Sequence, residues 1–424
     1  MLLALLICFV ILACFRTPVA IALGIAAMVA MLLFGDIPLA AIPHKMVNGI
    51  DSYVFIAIPL FLFAGRLMNA GGITDRIFKL ARTLVGHITG GLAHANVMAG
   101  MFFSAISGSA VAAVGGLGEI EMKAMRESGY DDDFSASITV ASSVIGPVIP
   151  PSIPLIIYAS MTDNSVGKLF LGGIIPGILL ALGLMILSYI ISKKKNYPKD
   201  KFPGFRQLLK SVKDTALPLM MPVILLGGIY SGMFTPTEAA AVAGFYALVI
   251  SMFVYRTIGF KDLPKLFVET MITTSVVTFV ISTTAAFSFI LTIEEAGQMI
   301  TGFVTGITEN KLIILLIINV LLLIFGAVME AGVVLILFIP ILYPLAMNLG
   351  IDPIHFGVVM AVNLMIGVAT PPMGMCLFVM SQISGLKIER IMKAILPFLI
   401  PLIIVLLIIT FIPVLVTWLP GLYN

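Results

Sequence analysis

The residues of this chain that could do chemistry are few, and they sit in apolar surroundings. Ser104, Ser107 and Ser109 lie in FFSAISGSAVAAVGGLGE, and Glu330 is the only acid of IFGAVMEAGVVLILFIPILYPL. Two Pro pairs, Pro150-Pro151 and Pro371-Pro372, interrupt stretches that otherwise read as apolar helix. Serine hydroxyls donate and accept hydrogen bonds. Proline removes an N–H and clashes with the preceding turn, so each helix must break there and free backbone carbonyls. The first break carries Gly146, Pro147, Pro150, Pro151 and Pro154; the second carries Gly367, Thr370, Pro371 and Pro372. Freed carbonyls inside a bilayer need partners, and a hard cation such as Na⁺ is one. Mere kinks would satisfy the same prolines, but two breaks at equivalent places favour a site. A carboxyl in such a stretch costs about 2.5–3.5 kcal/mol on the insertion scale. Glu330 therefore either serves a ligand or makes a structural hydrogen bond across its hairpin.

Other chemistries lack their residues. No GxxxxGK[ST] loop is present to hydrolyse ATP, and nothing resembles an activated nucleophile, so the chain is not expected to be an enzyme. His44, His87, His94 and His355 show no ligand spacing, and Cys8, Cys14 and Cys376 neither pair nor cluster. No organic cofactor is expected. Glu238, in TPTEA, reads as the acid at a helix start.

The elements that must hold these residues are set by composition. Of 424 residues, 60% are hydrophobic and 11% charged, with a mean hydropathy of +1.16. A soluble domain is about a quarter charged, so the solvent must be lipid. The net charge of +3 gives no basis for nucleic-acid binding. Long continuous apolar runs imply helices rather than a barrel. Spans are expected near 2–15, 17–34, 52–70, 134–160, 166–192, 215–233, 236–256, 267–292, 354–384 and 392–418. The first reads as a retained span, with no basic leader or cleavage site. Eight Lys and Arg crowd 193–214, which the positive-inside rule places in the cytoplasm. Outward tracing leaves only Lys45, Lys168 and Lys311 on the other side and puts both termini outside. Residues 72–90 read as a basic amphipathic helix on the inner surface, or else as an ordinary loop.

The halves repeat. SSVIGPVIPPS (142–152) aligns with NLMIGVATPPM (363–373), and Pro150/Pro371, Gly129/Gly350, Asp131/Asp352 and Gly146/Gly367 share one offset of 221. The traced topology inverts the second copy. Residues 1–192 form the first repeat, 193–214 a linker and 215–424 the second. Segments 92–125 and 312–347 cannot be simple spans. They read as re-entrant hairpins turning near Ser107-Gly108-Ser109 and Met329-Glu330-Ala331. The expected fold is an all-α polytopic membrane protein with inverted repeats, each with a hairpin and a Pro-broken helix. Residues 92–160 and 312–384 would form a transport domain and the remaining spans a scaffold, the construction of a secondary transporter.

SGSAVAAVGGLGEIEMKAMRESGYDDDF, IGPVIPPSIPLIIYA, GMFTPTEAAAVAGFYAL and IGVATPPMGMCLFV closely resemble the large membrane subunit (DctM or SiaM type) of tripartite ATP-independent periplasmic (TRAP) transporters, along essentially the whole chain. The resemblance implies an elevator-type, Na⁺-coupled importer of organic acids in a bacterial inner membrane. It implies two partners: a small four-helix membrane subunit (DctQ or SiaQ type) from another polypeptide, and a periplasmic binding protein (DctP or SiaP type). It implies one Na⁺ site at Ser104, Ser107, Gly146 and Ile149, with Pro150 nearby. It implies a second at Gly326, Gly367, Thr370 and Met373. Sialic acid members imply substrate contacts at Ser107, Ser152 and Glu330, the last one methylene longer than the Asp of close relatives; Ser109 adds a hydroxyl at the first hairpin tip. The substrate is expected to be sialic acid or a C4-dicarboxylate. A stand-alone carboxylate carrier of related fold, coupled to Na⁺ or protons without a binding protein, is the competing reading.

Overall fold

The computed structural model describes residues 1–424 except 16, 35, 36, 309 and 424, and describes the backbone but not the side chains of 14, 104–107, 300, 301, 303–305 and 307. Its elements follow from where proline, glycine and capping side chains interrupt a uniformly apolar chain. Among the described residues there are only helices and turns.

The first half contains α1 (Leu2–Cys14), α2 (Val19–Phe34), α3 (Ala41–Asn48), α4 (Ala57–Ala70), α5 (Ile73–Val85), α6 (Gly91–Ser107), α7 (Ala110–Glu127), α8 (Asp132–Ser143), α9 (Ile153–Thr162) and α10 (Val166–Lys195). The second contains α11 (Phe205–Tyr230), α12 (Pro236–Val249), α13 (Leu263–Ile293), α14 (Ala296–Ile307), α15 (Lys311–Gly326), α16 (Ala331–Asn348), α17 (Pro353–Gly367), α18 (Met375–Ser384), α19 (Ile388–Phe411) and α20 (Val414–Gly421). Seven helical stretches among the described residues are long and apolar enough to cross a membrane. The expected spans at 134–160 and 354–384 are each two helices, α8/α9 and α17/α18, parted at the Pro pairs. Both Pro–Pro bonds are cis.

Both expected hairpins form. Gly108, at φ +60°, turns α6 into α7, and residues 327–330 turn α15 into α16. Each first arm is tied to its broken helix by buried amides. Asn96 donates to Thr139 at 2.6 Å and accepts from Ser142 at 2.7 Å. Asn363 donates to the Asn319 side chain at 2.8 Å, and Asn319 donates to Thr410 at 2.9 Å. Ser142 and Asn363 occupy equivalent places in the repeats. Buried amides of this kind hold one register because an unmatched donor is costly in an apolar interior.

The helices pack as two bodies. One contains α6–α10 with α15–α20; the other contains α1–α4 with α11–α13. Helices α10, α19 and α20 pack on the hairpins and broken helices, so the hairpin body extends beyond 92–160 and 312–384. Three successive aspartates at the start of α8 bind this body together. Asp131 pairs with Lys195, Asp132 with Arg126 at 2.9 Å and Asp133 with Arg390 at 2.5 Å. The bond from Lys195 holds the Asp131 carboxyl below its ordinary pKa.

Two amphipathic helices bridge the bodies. Residues 73–85 form α5, whose buried face (Ile73, Ile77, Phe78, Ala81) is covered by α6 and α11. Arg76 stacks on Tyr255 at 3.8 Å, and Arg82 grips Asp200 at 2.7 and 3.1 Å. The counterpart α14 packs on α16 and α13; it falls between the expected spans and has no basic residue to announce it. Glu238 closes a capping box at the start of α12, where the Thr235 N–H reaches its carboxylate at 2.8 Å.

Candidate substrate site

The site is built by what stops four helices. At the first break, Pro147, Pro150 and Pro151 each lack the N–H that would carry α8 on. The chain restarts when Ser152 caps α9, its Oγ accepting from Leu155 N at 3.3 Å and donating to the Pro147 carbonyl. At the second break, the Thr370 N–H turns back to the Gly367 carbonyl at 2.8 Å, and the Thr370 hydroxyl donates to the Ile366 carbonyl at 2.7 Å. Pro150 and Pro371 stand four residues after Gly146 and Gly367. They withhold the amide that a continuous helix would offer those two carbonyls.

Each hairpin tip lies against its own break. A methyl group on Gly108 would sit 3.0 Å from the Pro151 carbonyl. Met373 N donates to the Ala327 carbonyl at 3.1 Å. Gly326 and Gly367 touch backbone to backbone, and a Cβ on Gly367 would meet the Gly326 Cα at 2.7 Å. The structure thus brings Gly326, Gly367, Thr370 and Met373 together at the second tip. On the first side, Gly146, Ile149 and Pro150 share the break beside Gly108. The Ile149 side chain turns away toward Gly177 of α10. The side chains of Ser104 and Ser107 lie outside the described residues.

The two tips meet at one cavity of about 150 Å³. Gly108 and Ser109 border it from the first hairpin, and Glu330, Ala331 and Gly332 from the second. Pro147 and Pro154 contribute from the first break, Val368 and Met375 from the second. The opposing wall belongs to the other body: Ile58 and Leu62 of α4 with Thr273, Val276, Val277 and Val280 of α13. Helices α7, α9, α16 and α18 therefore all begin at the cavity. Helix N-termini carry partial positive charge and unpaired N–H groups, which suit an anion.

Ser109 and Glu330 take the same role 221 positions apart. Ser109 Oγ accepts from Ala112 N at 3.3 Å to cap α7, and Glu330 Oε2 accepts from Val333 N at 3.1 Å to cap α16. The Glu330 bond thus lies within α16 and does not cross the hairpin, and the residue remains exposed at the cavity. It is the only charged side chain on the cavity wall among the described residues. Ser152 is fully buried and is not part of that wall; its one proton is spent on the Pro147 carbonyl.

The α4 and α13 wall was not among the expected site residues. Its signal is the hydroxyl-rich run TTSVVTFVISTT (273–284) inside an apolar span. Thr273 is held by Arg66 at 2.8 Å, and Arg66 also pairs with Glu269 at 2.9 Å, which locks α4 to α13 behind the cavity.

Comparison with known proteins places this architecture. The family described as "Tripartite ATP-independent periplasmic transporter, DctM component" matches residues 6–415. The chain is 44% identical over 406 residues to the sialic acid TRAP transporter large permease protein SiaM of Vibrio cholerae, covering 96% of this chain and 95% of that one. It is 40% identical to the C4-dicarboxylate TRAP transporter large permease protein DctM of Pseudomonas aeruginosa, over 94% of this chain and 93% of that one. It is 42% identical to the isethionate TRAP transporter permease protein DctMQ of Oleidesulfovibrio alaskensis, covering 95% of this chain and 64% of that protein. Among solved structures, the crystal structure of the Alcanivorax borkumensis YdaH transporter superposes with a TM-score of 0.63 at 14% identity, covering 89% of each chain. This shows a shared fold.

Proposed function

The chain belongs to the DctM component family of tripartite ATP-independent periplasmic transporters, and from that premise we propose that it imports an organic acid by Na⁺-coupled, elevator-type movement. The observation that carries this reading is the single cavity at which both hairpin tips, both helix breaks and four helix N-termini converge, faced by α4 and α13 of the other body. A carboxylate substrate sits among the N-termini, with Ser109 as a hydroxyl partner. Glu330 accepts from substrate hydroxyl or ammonium protons. Na⁺ is carried beside it. One ion takes carbonyls around Gly326, Gly367, Thr370 and Met373; the other takes the Gly146–Pro150 break with Ser104 and Ser107. Each ion offsets part of the charge that substrate and Glu330 bring together. Ions and substrate must stabilise one position of the moving body over another for their fluxes to couple.

The moving body is α6–α10 with α15–α20, and α5 and α14 are its hinged arms on the scaffold. The site lies in a multi-pass protein of the bacterial inner membrane, with both termini outside and the 193–214 linker in the cytoplasm. A small four-helix subunit and a periplasmic binding protein complete the transporter. Relatives named for sialic acid and for C4-dicarboxylates support this substrate class, with sialic acid the first to test.

Uptake into proteoliposomes containing this chain and its small subunit tests the proposal. Labelled sialic acid and labelled succinate are supplied separately, with and without an inward Na⁺ gradient and the cognate binding protein. Uptake of either label only when both are present is expected. Uptake without the binding protein would instead support the stand-alone carrier.

A further inference from the structure

Helix α13 borders two cavities. The first is the site above. The second, of about 420 Å³, is an open cleft further along the helix at Ser288, Phe289 and Thr292, and is also bordered by Lys45 of α3 and Tyr343 of α16. Val277 and Ser288, one on each cavity, are eleven positions apart, which is about 16 Å along a helix. The second cavity is on the side that charge tracing assigns to the exterior, where Lys45 is one of three basic residues.

The polar groups of this second cavity suit a carboxylate. Lys45 Nζ lies 4.6 Å from the centre of the Phe289 ring, and no carboxylate among the described residues pairs with it. At the other end of α13, Arg66 is already neutralised by Glu269. The Tyr343 hydroxyl accepts from Asn164 Nδ2 at 3.3 Å, which leaves its own proton to donate. Ser288 adds a second hydroxyl at the wall, whereas the Thr292 proton is committed to the Ser288 carbonyl at 2.9 Å. An unpaired cation in a cleft with low-dielectric walls concentrates anions there.

We propose that Lys45, Tyr343 and Ser288 form an outer station that holds the substrate's carboxylate before the hairpin tips engage it. This rests on the transport reading above and adds a second position on the path. The carboxylate replaces the Phe289 ring as the partner of Lys45 and accepts from Tyr343. Moving inward, it passes α13 to the first cavity, whose wall begins at Val280, and reaches the N-termini of α7 and α16.

Lys45→Gln and Lys45→Arg are compared with wild type in Na⁺-driven uptake, as initial rate against concentration of substrate-loaded binding protein. In the same vesicles without any protein change, wild-type uptake reports on the transport reading itself; if wild type moves neither label, that reading has failed, independently of the outer station. With wild-type uptake present, Lys45→Gln is expected to raise KM about tenfold, equivalent to about 1.4 kcal/mol, with kcat within twofold. Lys45→Arg should recover most of the loss, and the salt dependence of KM should vanish in Lys45→Gln. Tyr343→Phe, which keeps the ring, should raise KM about threefold. Amine acylation of wild type without the binding protein separates substrate capture from docking: free substrate should slow modification of Lys45 and leave Lys168 and Lys311 unchanged. An unchanged KM in Lys45→Gln, a fall in kcat alone, or acylation of Lys45 indifferent to substrate would each overturn the outer station.

Discussion

Replacing Gly367 by alanine should weaken Na⁺ binding without unfolding the protein. The new Cβ would lie 2.7 Å from the Cα and carbonyl carbon of Gly326 and 3.0 Å from its oxygen. Ordinary carbon contacts are about 3.5–4.0 Å, so the second hairpin tip must part from the second break by roughly 1 Å. All the crowding atoms are backbone, so no side chain can rotate away. Overpacking of this kind costs about 1–3 kcal/mol. The displacement also moves the carbonyls assigned to one Na⁺, and a tenfold loss of affinity corresponds to about 1.4 kcal/mol. Two assays read this out: the Na⁺ concentration giving half-maximal uptake, and the rise in melting temperature with Na⁺ in detergent. Saturating ligand stabilises in proportion to the logarithm of its concentration over Kd, so a tenfold weaker site loses about 1.4 kcal/mol of Na⁺-dependent stabilisation. Gly115→Ala is the control, since a Cβ there meets nothing within 4 Å. Wild-type Na⁺ dependence in folded Gly367→Ala would refute the assignment of Gly326 and Gly367 to an ion site.

Three further outcomes are expected. Glu330→Gln keeps an acceptor for Val333 N but removes the charge; it should fold normally and lose at least about tenfold in uptake efficiency, about 1.4 kcal/mol, as measured in proteoliposomes. Ser152→Ala removes the cap on Leu155 N and the partner of the Pro147 carbonyl; it should lower stability by about 1–2 kcal/mol with KM unchanged per folded molecule, whereas a KM effect with full stability would restore Ser152 to the substrate. Asp131 has its pKa depressed by Lys195, so its ion pair stabilises the folded state above the unfolded carboxylate's value and is lost as pH falls through the lower folded value. The stability difference between wild type and Asp131→Asn should thus be steady at neutral pH and close below about pH 4. It should be small and salt-sensitive, because both partners are about half exposed.

Much of this arrangement is legible in the sequence because proline and glycine act locally. Pro150-Pro151 and Pro371-Pro372 interrupt a helix whatever surrounds them, and the offset of 221 aligns the two breaks before any contact is known. The turn at Gly108 and the acid at Glu330 stand out for the same reason: each is anomalous within its own apolar run. What depends on partners is harder to read. Helix α14 escapes notice because, unlike α5, it carries no Lys or Arg, and only packing on α16 and α13 defines it. Nothing in α10 or α19 announces that they pack with the hairpins, since in lipid every face of a helix is apolar. The capping role of Ser152 depends on the path that Pro147 takes, and the place of Thr273 on the cavity wall depends on how α13 faces the hairpin tips. Asn96 and Asn319 are visible as polar residues in apolar arms, yet their shared function of tying arm to broken helix needs Ser142 and Asn363 in view.

Substrate binding in the cavity between the hairpin tips can be tested with one thiol. Ser109→Cys, in a chain whose Cys8, Cys14 and Cys376 are changed to serine, places a single thiol on that cavity wall. Its modification by a small thiol reagent is followed in proteoliposomes with Na⁺ alone, with substrate alone and with both. Protection by substrate that requires Na⁺ is the predicted result. Modification at the same rate in all three conditions, in vesicles that still transport, would contradict the assignment of the site.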